Sequence, residues 1–368
     1  MSFYDEYAAY SKIDIDAVVI STTSEQVIKI VGKDRLTVMD FLALLSPAAE
    51  EHLEIIAQKA YQLTVQQFGR VILLYTPMYL SDYCTNNCTY CGFNITNVFT
   101  RKQLTLEEVE REAQSITASG LKHILILTGD APKIAGVSYM KDCVGILKKY
   151  FASIAIEVYA MEKTEYQSLI QAGVESMTIY QETYNPRIYD QLHVAGPKKD
   201  YYYRLDAPER ACQAGIRSVN VGALLGLDQW RRDGFFAGLH ANYLQNKYSD
   251  VEVSISLPRI RPTMGNCETG LTVNDKNMVQ MMTAFRLFMP RAGITLSTRE
   301  NAEFRNHAIK LGVTKMSAGV NTAVGGHIES QENSGQFAIS DSRSVAQMCE
   351  AILKLGYQPV FKDWQAIW

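Results

Sequence analysis

Eight short β-rich runs alternate with helical segments between residues 71 and 318, and this alternation limits the fold more than any other feature of the 368-residue chain. Such alternation is typical of consecutive strand–helix units around a parallel sheet. Eight strands of this kind predict an α/β fold, a closed (β/α)8 barrel of the TIM type. The predicted strands are residues 77–83, 124–128, 153–158, 176–180, 218–222, 251–256, 294–297 and 315–318.

Polar side chains stand at or near the C-terminal ends of several predicted strands. Asp130 follows strand two, Glu182 follows strand four, Arg299 follows strand seven, and Ser317 lies in strand eight. An open doubly wound sheet would bind its ligand at one switch point, whereas a barrel gathers all of these ends on one face. We therefore expect these side chains to share a pocket.

The flanks of the predicted barrel have a different periodicity. Residues 37–45 and 48–68 carry apolar positions at three- and four-residue steps, which is typical of helices. We expect an N-terminal helical extension at 1–70, the barrel at 71–330, and a C-terminal helix and tail at 331–368 that packs on the barrel.

Composition gives no support for several functional classes. A formal net charge of −3 gives no reason to expect nucleic acid or an anionic membrane as a partner. The first residues lack the pattern of a secretory signal, and no apolar run reaches the length of a membrane span. Seven cysteines are too few for a disulfide scaffold in so long a chain, so a reducing, cytoplasmic compartment is expected.

Three of the seven cysteines lie within eight positions. Cys84, Cys88 and Cys91 form a C-x3-C-x2-C pattern directly after predicted strand one. Thiolates bind iron–sulfur clusters, and three of them would leave one iron of a [4Fe–4S] cluster open to a small molecule. A structural zinc site would require a fourth close ligand, usually from a second C-x2-C pair, and ordinary core cysteines would not be separated by loop residues. The pattern therefore favours a redox-active cluster with an open iron.

The cysteine pattern, with the aromatic Tyr90 directly before Cys91, resembles the signature of the radical S-adenosylmethionine (SAM) enzymes. The resemblance implies a radical SAM barrel whose open iron is chelated by the amino and carboxylate groups of S-adenosyl-L-methionine. Reductive cleavage of SAM would then give methionine and a 5′-deoxyadenosyl radical.

The same resemblance implies positions for the SAM pocket. Thr128-Gly129-Asp130 resembles the family's G-G-E-like segment near the SAM amino group. Glu182 and Arg204 match positions that contact the amino-acid part of SAM, where a carboxylate suits an ammonium and a guanidinium suits a carboxylate. Glu157 has a similar location at a strand end, and it is a weaker candidate for contact with the amino-acid part of SAM. The alternative for Glu182 and Arg204 is a structural ion pair on the barrel rim.

The resemblance narrows to the radical SAM tyrosine lyases of thiamine thiazole biosynthesis, the 2-iminoacetate synthase family. It rests on the segments LSPAA (45–49), YLSDYC (79–84), CTYCGF (88–93), LSTRE (296–300) and PVFKDW (359–364). It implies cleavage of the Cα–Cβ bond of L-tyrosine to 2-iminoacetate and p-cresol, with 5′-deoxyadenosine and methionine.

The substrate-binding residues that the resemblance implies are Arg299, as the clamp for the tyrosine carboxylate, together with Tyr79 and Ser317. Packing within the barrel layers is the alternative for each of them. The implied partners are a thiazole synthase, which would receive the easily hydrolysed 2-iminoacetate, and an external electron donor of the flavodoxin or ferredoxin type.

Other functions remain open at this point. The tyrosine lyase of [FeFe]-hydrogenase maturation begins with the same cleavage, but it uses a second cluster on a C-terminal extension, and this sequence has no C-terminal C-x2-C. Another aromatic amino-acid lyase, or a cofactor-assembly radical synthase, would use a similar scaffold. A non-catalytic iron–sulfur electron carrier would need neither an open iron nor an amino-acid pocket.

Overall fold

Eight parallel strands form a closed barrel in the computed structural model, which describes residues 2–261, 271–328 and 335–362. Each strand pairs with its neighbours in chain order, and the hydrogen bonds between the first strand and the eighth close the barrel. The predicted fold class is confirmed. The strands are β1 Val71–Ser81, β2 His123–Thr128, β3 Ser153–Glu157, β4 Ser176–Glu182, β5 Ser218–Ala223, β6 Glu252–Ser256, β7 Gly293–Leu296 and β8 Lys315–Ser317.

β1 begins at Val71, six residues before the predicted start at residue 77. It pairs with three other strands. Leu73 to Tyr75 pair with β8, and Thr76 to Ser81 pair with β2. A ninth strand, β9 (Gln358–Val360), pairs in parallel with the first residues of β1. β9 was not predicted, because three residues with a proline at the centre show no strand periodicity.

Helices cover the outside of the barrel and precede it. The segment 48–68, predicted to be helical, is divided at His52 between α5 and α6. The helices are α1 Phe3–Tyr10, α2 Ile15–Ser21, α3 Ser24–Val31, α4 Val38–Leu44, α5 Pro47–Glu51, α6 Leu53–Phe68, α7 Leu106–Thr117, α8 Val137–Leu147, α9 Lys163–Ala172, α10 Pro186–Leu192, α11 Tyr201–Leu205, α12 Ala207–Gln213, α13 Trp230–Lys247, α14 Asp275–Phe288, α15 Ala302–Ala308 and α16 Val345–Lys354.

The N-terminal helices are packed against the helices of the barrel by aromatic contacts. The ring of Phe41 in α4 is fully buried and stacks on Phe288 at 4.6 Å between centroids. Gly238 in α13 provides the space, since a Cβ at that position would lie 2.5 Å from the Phe41 ring. Gln280 of α14 donates hydrogen bonds to the carbonyl oxygens of Leu44 and Ser46. The extension and the barrel therefore share one core.

Within the described ranges, no helix combines the length and the apolar character that a membrane span requires. Cys267 and residues 363–364 of the PVFKDW segment lie outside the described residues.

Replacing Phe41 by alanine tests the packing of the extension. We expect Phe41→Ala to lower the free energy of unfolding by about 3–5 kcal/mol, because it leaves a cavity between α4, α13 and α14. Ile20→Ala is the matched control, since Ile20 is 76% exposed and its loss should change stability by less than about 0.5 kcal/mol. Urea unfolding followed by circular dichroism measures both. Equal stability of the two variants would contradict a shared core.

Candidate active site

The three cysteines of the predicted cluster line one cavity at the C-terminal face of the barrel. β1 ends at Ser81, and the loop that follows carries Cys84, Cys88 and Cys91, all of them free thiols. The ends of β2, β3 and β4 complete the walls of this cavity, here named the cofactor cavity. The loop is further held by a short antiparallel ladder in which Asn87–Cys88 pairs with His193–Ala195.

The segment after β2 anchors the cysteine loop. Asp130 accepts two hydrogen bonds at its carbonyl oxygen from Thr85 and one at Oδ2 from the Asn86 amide, the last at 2.7 Å. A methyl group at Gly129 would overlap the Tyr83 carbonyl oxygen and lie 3.1 Å from the Cys84 Cβ. Only glycine allows this close approach of the two chains. Gly129 and Asp130 therefore hold the cysteine loop in position against the end of β2.

All three residues of that segment also line the cofactor cavity. The Thr128 hydroxyl is buried and has no hydrogen-bond partner among the described residues. A buried hydroxyl without a partner is costly, so this atom is suited to a ligand that enters the cavity.

Tyr90 lies behind the cysteines. Its ring is buried with Cys88, Leu224 and Leu227, and its hydroxyl lies 2.7 Å from His193 Nε2. The aromatic position of the signature therefore supports the loop from its protein side.

Glu182 and Arg204 both line the cofactor cavity, and they form an ion pair with each other at 3.3 Å. The sequence did not indicate Lys198, whose Nζ lies 2.6 Å from Glu182 Oε1. Burial alone would raise the pKa of Glu182, but the charges of Lys198 and Arg204 outweigh it and hold that pKa below its usual range. Glu182 is therefore a buried carboxylate that is ionised and paired.

The backbone at Glu182 is unusual. Its φ of 71° is the one positive value among the described non-glycine residues, and the register of β4 against β5 shifts between Tyr180 and Glu182. Such strained positions persist where the surrounding structure fixes them, and they are concentrated at functional sites.

Tyr79, Arg299 and Ser317 line a second cavity, here named the substrate cavity, which adjoins the first inside the barrel mouth. The Tyr79 hydroxyl donates to Gln336 Oε1 at 2.9 Å, and the Ser317 hydroxyl accepts from the Thr298 amide at 3.2 Å. The structure therefore brings together the three residues that the sequence proposed for substrate binding.

The Arg299 guanidinium stacks on Phe337, with its carbon 3.5 Å from the ring centroid. Among the described residues, no carboxylate or carbonyl accepts a hydrogen bond from it. Burial lowers the pKa of Arg299, although the nearby Tyr79, Tyr180 and Glu157 oppose that shift. With one face covered by Phe337 and its edge unpaired, this cation is suited to bind an anionic group in the cavity.

Sequence reasoning did not find Gln336 and Phe337. Both lie after the barrel, in a stretch without helical or strand periodicity, so their sequence carries no signal for a place in the site.

The donor set of the cysteine loop fits an iron–sulfur cluster. Burial raises the pKa of Cys88 to about 12, partly offset by Lys198, and it also raises the pKa of Cys91. Bound iron would supply the positive charge that stabilises such thiolates. Within the described residues, no three His, Cys, Asp or Glu side chains are grouped to hold a single metal ion. A [4Fe–4S] cluster has a different requirement, because each thiolate binds its own iron.

Two family models match the chain. The model of the radical SAM superfamily matches residues 78–233, which include the cysteine loop and the strands of the cofactor cavity. The model of the biotin and thiamin synthesis associated domain matches residues 256–358, which include Arg299, Ser317 and Phe337.

Known proteins resemble the chain over nearly its whole length. It is 37% identical to 2-iminoacetate synthase of Escherichia coli K12, and the match covers 99% of this chain and 97% of the relative. The crystal structure of HydG, a maturase of the [FeFe]-hydrogenase, superimposes with a TM-score of 0.89 and 30% identity, covering 95% of this chain and 79% of HydG. Methylornithine synthase PylB, at 21% identity and a TM-score of 0.74 over 91% of this chain and 97% of PylB, shares the fold.

A methyl group at Gly129 tests the link between β2 and the cysteine loop. We expect Gly129→Ala to displace the loop and weaken cluster binding by about 10-fold or more, as happens when groups that support metal ligands are removed. Iron and acid-labile sulfide retained per chain during a chelator challenge measure this loss. Gly145→Ala in α8 is the control, because no described atom outside the neighbouring backbone of α8 lies within 4 Å of its added Cβ. Full cluster retention in Gly129→Ala would contradict the anchoring role.

Proposed function

The chain belongs to the 2-iminoacetate synthase family of radical SAM enzymes, and on this premise we propose that it cleaves the Cα–Cβ bond of L-tyrosine. The products would be 2-iminoacetate and p-cresol, with 5′-deoxyadenosine and methionine from SAM. The observation that carries the proposal is the identity of 37% along almost the full length of both chains. The adjoining cofactor and substrate cavities support it, because a radical lyase must hold its two reactants side by side.

The enzyme uses a [4Fe–4S] cluster and S-adenosyl-L-methionine. We assign Cys84, Cys88 and Cys91 as the cluster ligands, since these three free thiols line the cofactor cavity. When bound, the reduced cluster and SAM supply a 5′-deoxyadenosyl radical for removal of a hydrogen atom from the substrate amine. The protein's contribution is to fix the reactants and keep water out.

The charged wall of the cofactor cavity would hold the amino-acid part of SAM. Arg204 donates one hydrogen bond to the Tyr180 carbonyl and one to Glu182, which fixes the plane of its guanidinium. We propose that its remaining N–H groups bind the SAM carboxylate, and that Glu182, Asp130 and the Thr128 hydroxyl receive the SAM ammonium. Tyr90 stabilises the loop from behind.

On the substrate side, we propose that Arg299 binds the carboxylate of L-tyrosine. Phe337 covers one face of the guanidinium, so its N–H groups are directed within a fixed plane that suits bidentate binding. The hydroxyls of Tyr79 and Ser317 line the same cavity and would add hydrogen bonds to the substrate.

A second candidate is the cleavage of tyrosine for a different end product. The HydG structure favours it, since HydG is a maturase of the [FeFe]-hydrogenase and resembles this chain at a TM-score of 0.89. That enzyme group begins with the same bond cleavage, so the two functions differ in the fate of the fragment. Cyanide and carbon monoxide would form only on the second route.

The proposed chemistry has consequences for the electron donor and the cellular compartment of the enzyme. Reduction of the cluster requires one electron from outside, and we propose a donor of the flavodoxin or ferredoxin type. The six described cysteines are all free, which supports a cytoplasmic, reducing location.

Product analysis tests the proposed reaction. The reconstituted protein, kept anaerobic with dithionite, SAM and L-tyrosine, should yield 5′-deoxyadenosine, p-cresol and glyoxylate, the hydrolysis product of 2-iminoacetate, as detected by mass spectrometry. Cyanide and carbon monoxide should be absent. Cys91→Ser should abolish all three products, whereas Cys349→Ser in α16 should keep them.

The possible failures have different meanings. Formation of 5′-deoxyadenosine without p-cresol would keep the radical chemistry and exclude L-tyrosine as the substrate. Cyanide among the products would favour the hydrogenase-maturation route. If a loaded, reduced cluster produced no 5′-deoxyadenosine, the protein would instead be an iron–sulfur electron carrier.

We further propose that 2-iminoacetate passes to a thiazole synthase partner, because free iminoacetate hydrolyses in water. Adding thiazole synthase with its other substrates should lower the ratio of glyoxylate to p-cresol, measured in the same reaction. An equal mass of serum albumin is the control. An unchanged ratio with active thiazole synthase would contradict the transfer.

A further inference from the structure

The cofactor cavity and the substrate cavity share two lining residues, Glu157 and Tyr180. Glu157 is the last residue of β3, and its backbone pairs with Leu127 near the end of β2. Its carboxylate thus stands where the two cavities meet. A group held at this carboxylate would lie next to both cavities.

Glu157 differs from the other acidic residues of the cofactor cavity, Asp130 and Glu182, because no described residue forms a hydrogen bond or an ion pair with its carboxylate. Glu182 is paired with Lys198 and Arg204, and Asp130 accepts from Asn86. Within the part of the chain that the structure describes, no side chain or backbone N–H donates to the Glu157 carboxylate. A buried carboxylate without a donor is costly, so a protein retains one where a ligand supplies the missing partner.

Arg299 provides the complementary charge. It lines the substrate cavity together with Glu157, and the two attract each other without forming a direct ion pair. An α-amino acid carries an ammonium and a carboxylate on the same carbon. Arg299 and Glu157 lie on the walls of one cavity, and among the described residues neither has a hydrogen-bonded partner of opposite charge, so together they match that pair of charges.

We propose that Glu157 binds the α-amino group of the substrate amino acid and holds it at the junction of the two cavities. This inference rests on the proposed function, in which the hydrogen atom is removed from the substrate amine. Arg299 then fixes the carboxylate, and Glu157 directs the nitrogen towards the cofactor cavity. Tyr180 is the other residue at the junction, but its phenol stays neutral, since burial raises its pKa well above the usual value.

The electrostatic surroundings of Glu157 predict a pH dependence of binding. Burial raises its pKa to about 7, Glu182 adds to the rise, and Arg299, Arg204 and Lys198 oppose it. The carboxylate is therefore largely protonated below pH 7 and charged above it. Because an ammonium binds the charged form better, the affinity for L-tyrosine should increase between pH 6 and pH 8.

Binding measurements without turnover test the proposal. The probes are L-tyrosine and 3-(4-hydroxyphenyl)propanoate, which differ only in the amino group, measured by equilibrium dialysis on reconstituted, SAM-loaded protein without reductant. We expect Glu157→Gln to weaken the affinity for L-tyrosine about 10- to 100-fold, as for loss of a charge-assisted hydrogen bond. The affinity for the propanoate should stay within about twofold of the wild-type value. The increase in affinity between pH 6 and pH 8 should disappear in this variant.

Controls separate the possible outcomes. Glu107→Gln, at an exposed position in α7, should bind both probes as the wild type does, and cluster content and circular dichroism show that each variant is folded and loaded. Unchanged L-tyrosine affinity in Glu157→Gln would overturn the proposal, as would equal weakening of both probes, because the residue would then act on the shape of the pocket. If the wild type neither binds nor cleaves L-tyrosine, the proposed function fails instead.

Discussion

The hydrogen bonds between β1 and β8 close the barrel, and every candidate site residue depends on that closure for its position. β1 pairs with β2, β8 and β9. The first cysteine of the loop, Cys84, lies three residues after the end of β1. Closure places the loop beside the end of β2, where Asp130 accepts hydrogen bonds from Thr85 and Asn86. A parallel barrel thus brings a cluster loop and an amino-acid pocket to the same face.

Close backbone approach then fixes the cysteine loop. Gly129 leaves no room for a side chain against Tyr83, while Asp130 and Asn86 join the loop to β2. On its other side, the loop pairs with residues 193–195, and Tyr90 contacts His193. Two separate parts of the barrel therefore hold the loop before any cluster binds, which reduces the conformational entropy that cluster binding has to overcome.

The two cavities differ in how their charges are satisfied. In the cofactor cavity, Glu182 is paired with two cations, so this wall stays charged and rigid. In the substrate cavity, Arg299 contacts an aromatic ring, and Glu157 at the junction has no donor among the described residues. Paired charges hold a site in place, while unpaired ones favour a ligand of opposite charge. This contrast supports the proposal that the substrate cavity takes a zwitterionic ligand.

The sequence by itself determined the eight barrel strands, most of the helices, the cysteine loop and the residues at the strand ends, because periodicity and motif spacing are local properties of the chain. It did not show β9, the pairing of Lys198 with Glu182, or the contacts of Gln336 and Phe337 with the substrate residues. Tyr79 and Gln336 are 257 positions apart, and no local pattern relates them. It placed Glu157 at a strand end but not at the junction of two cavities. Only the tertiary structure decided these features, since they arise from packing and charge between segments that meet when the barrel closes.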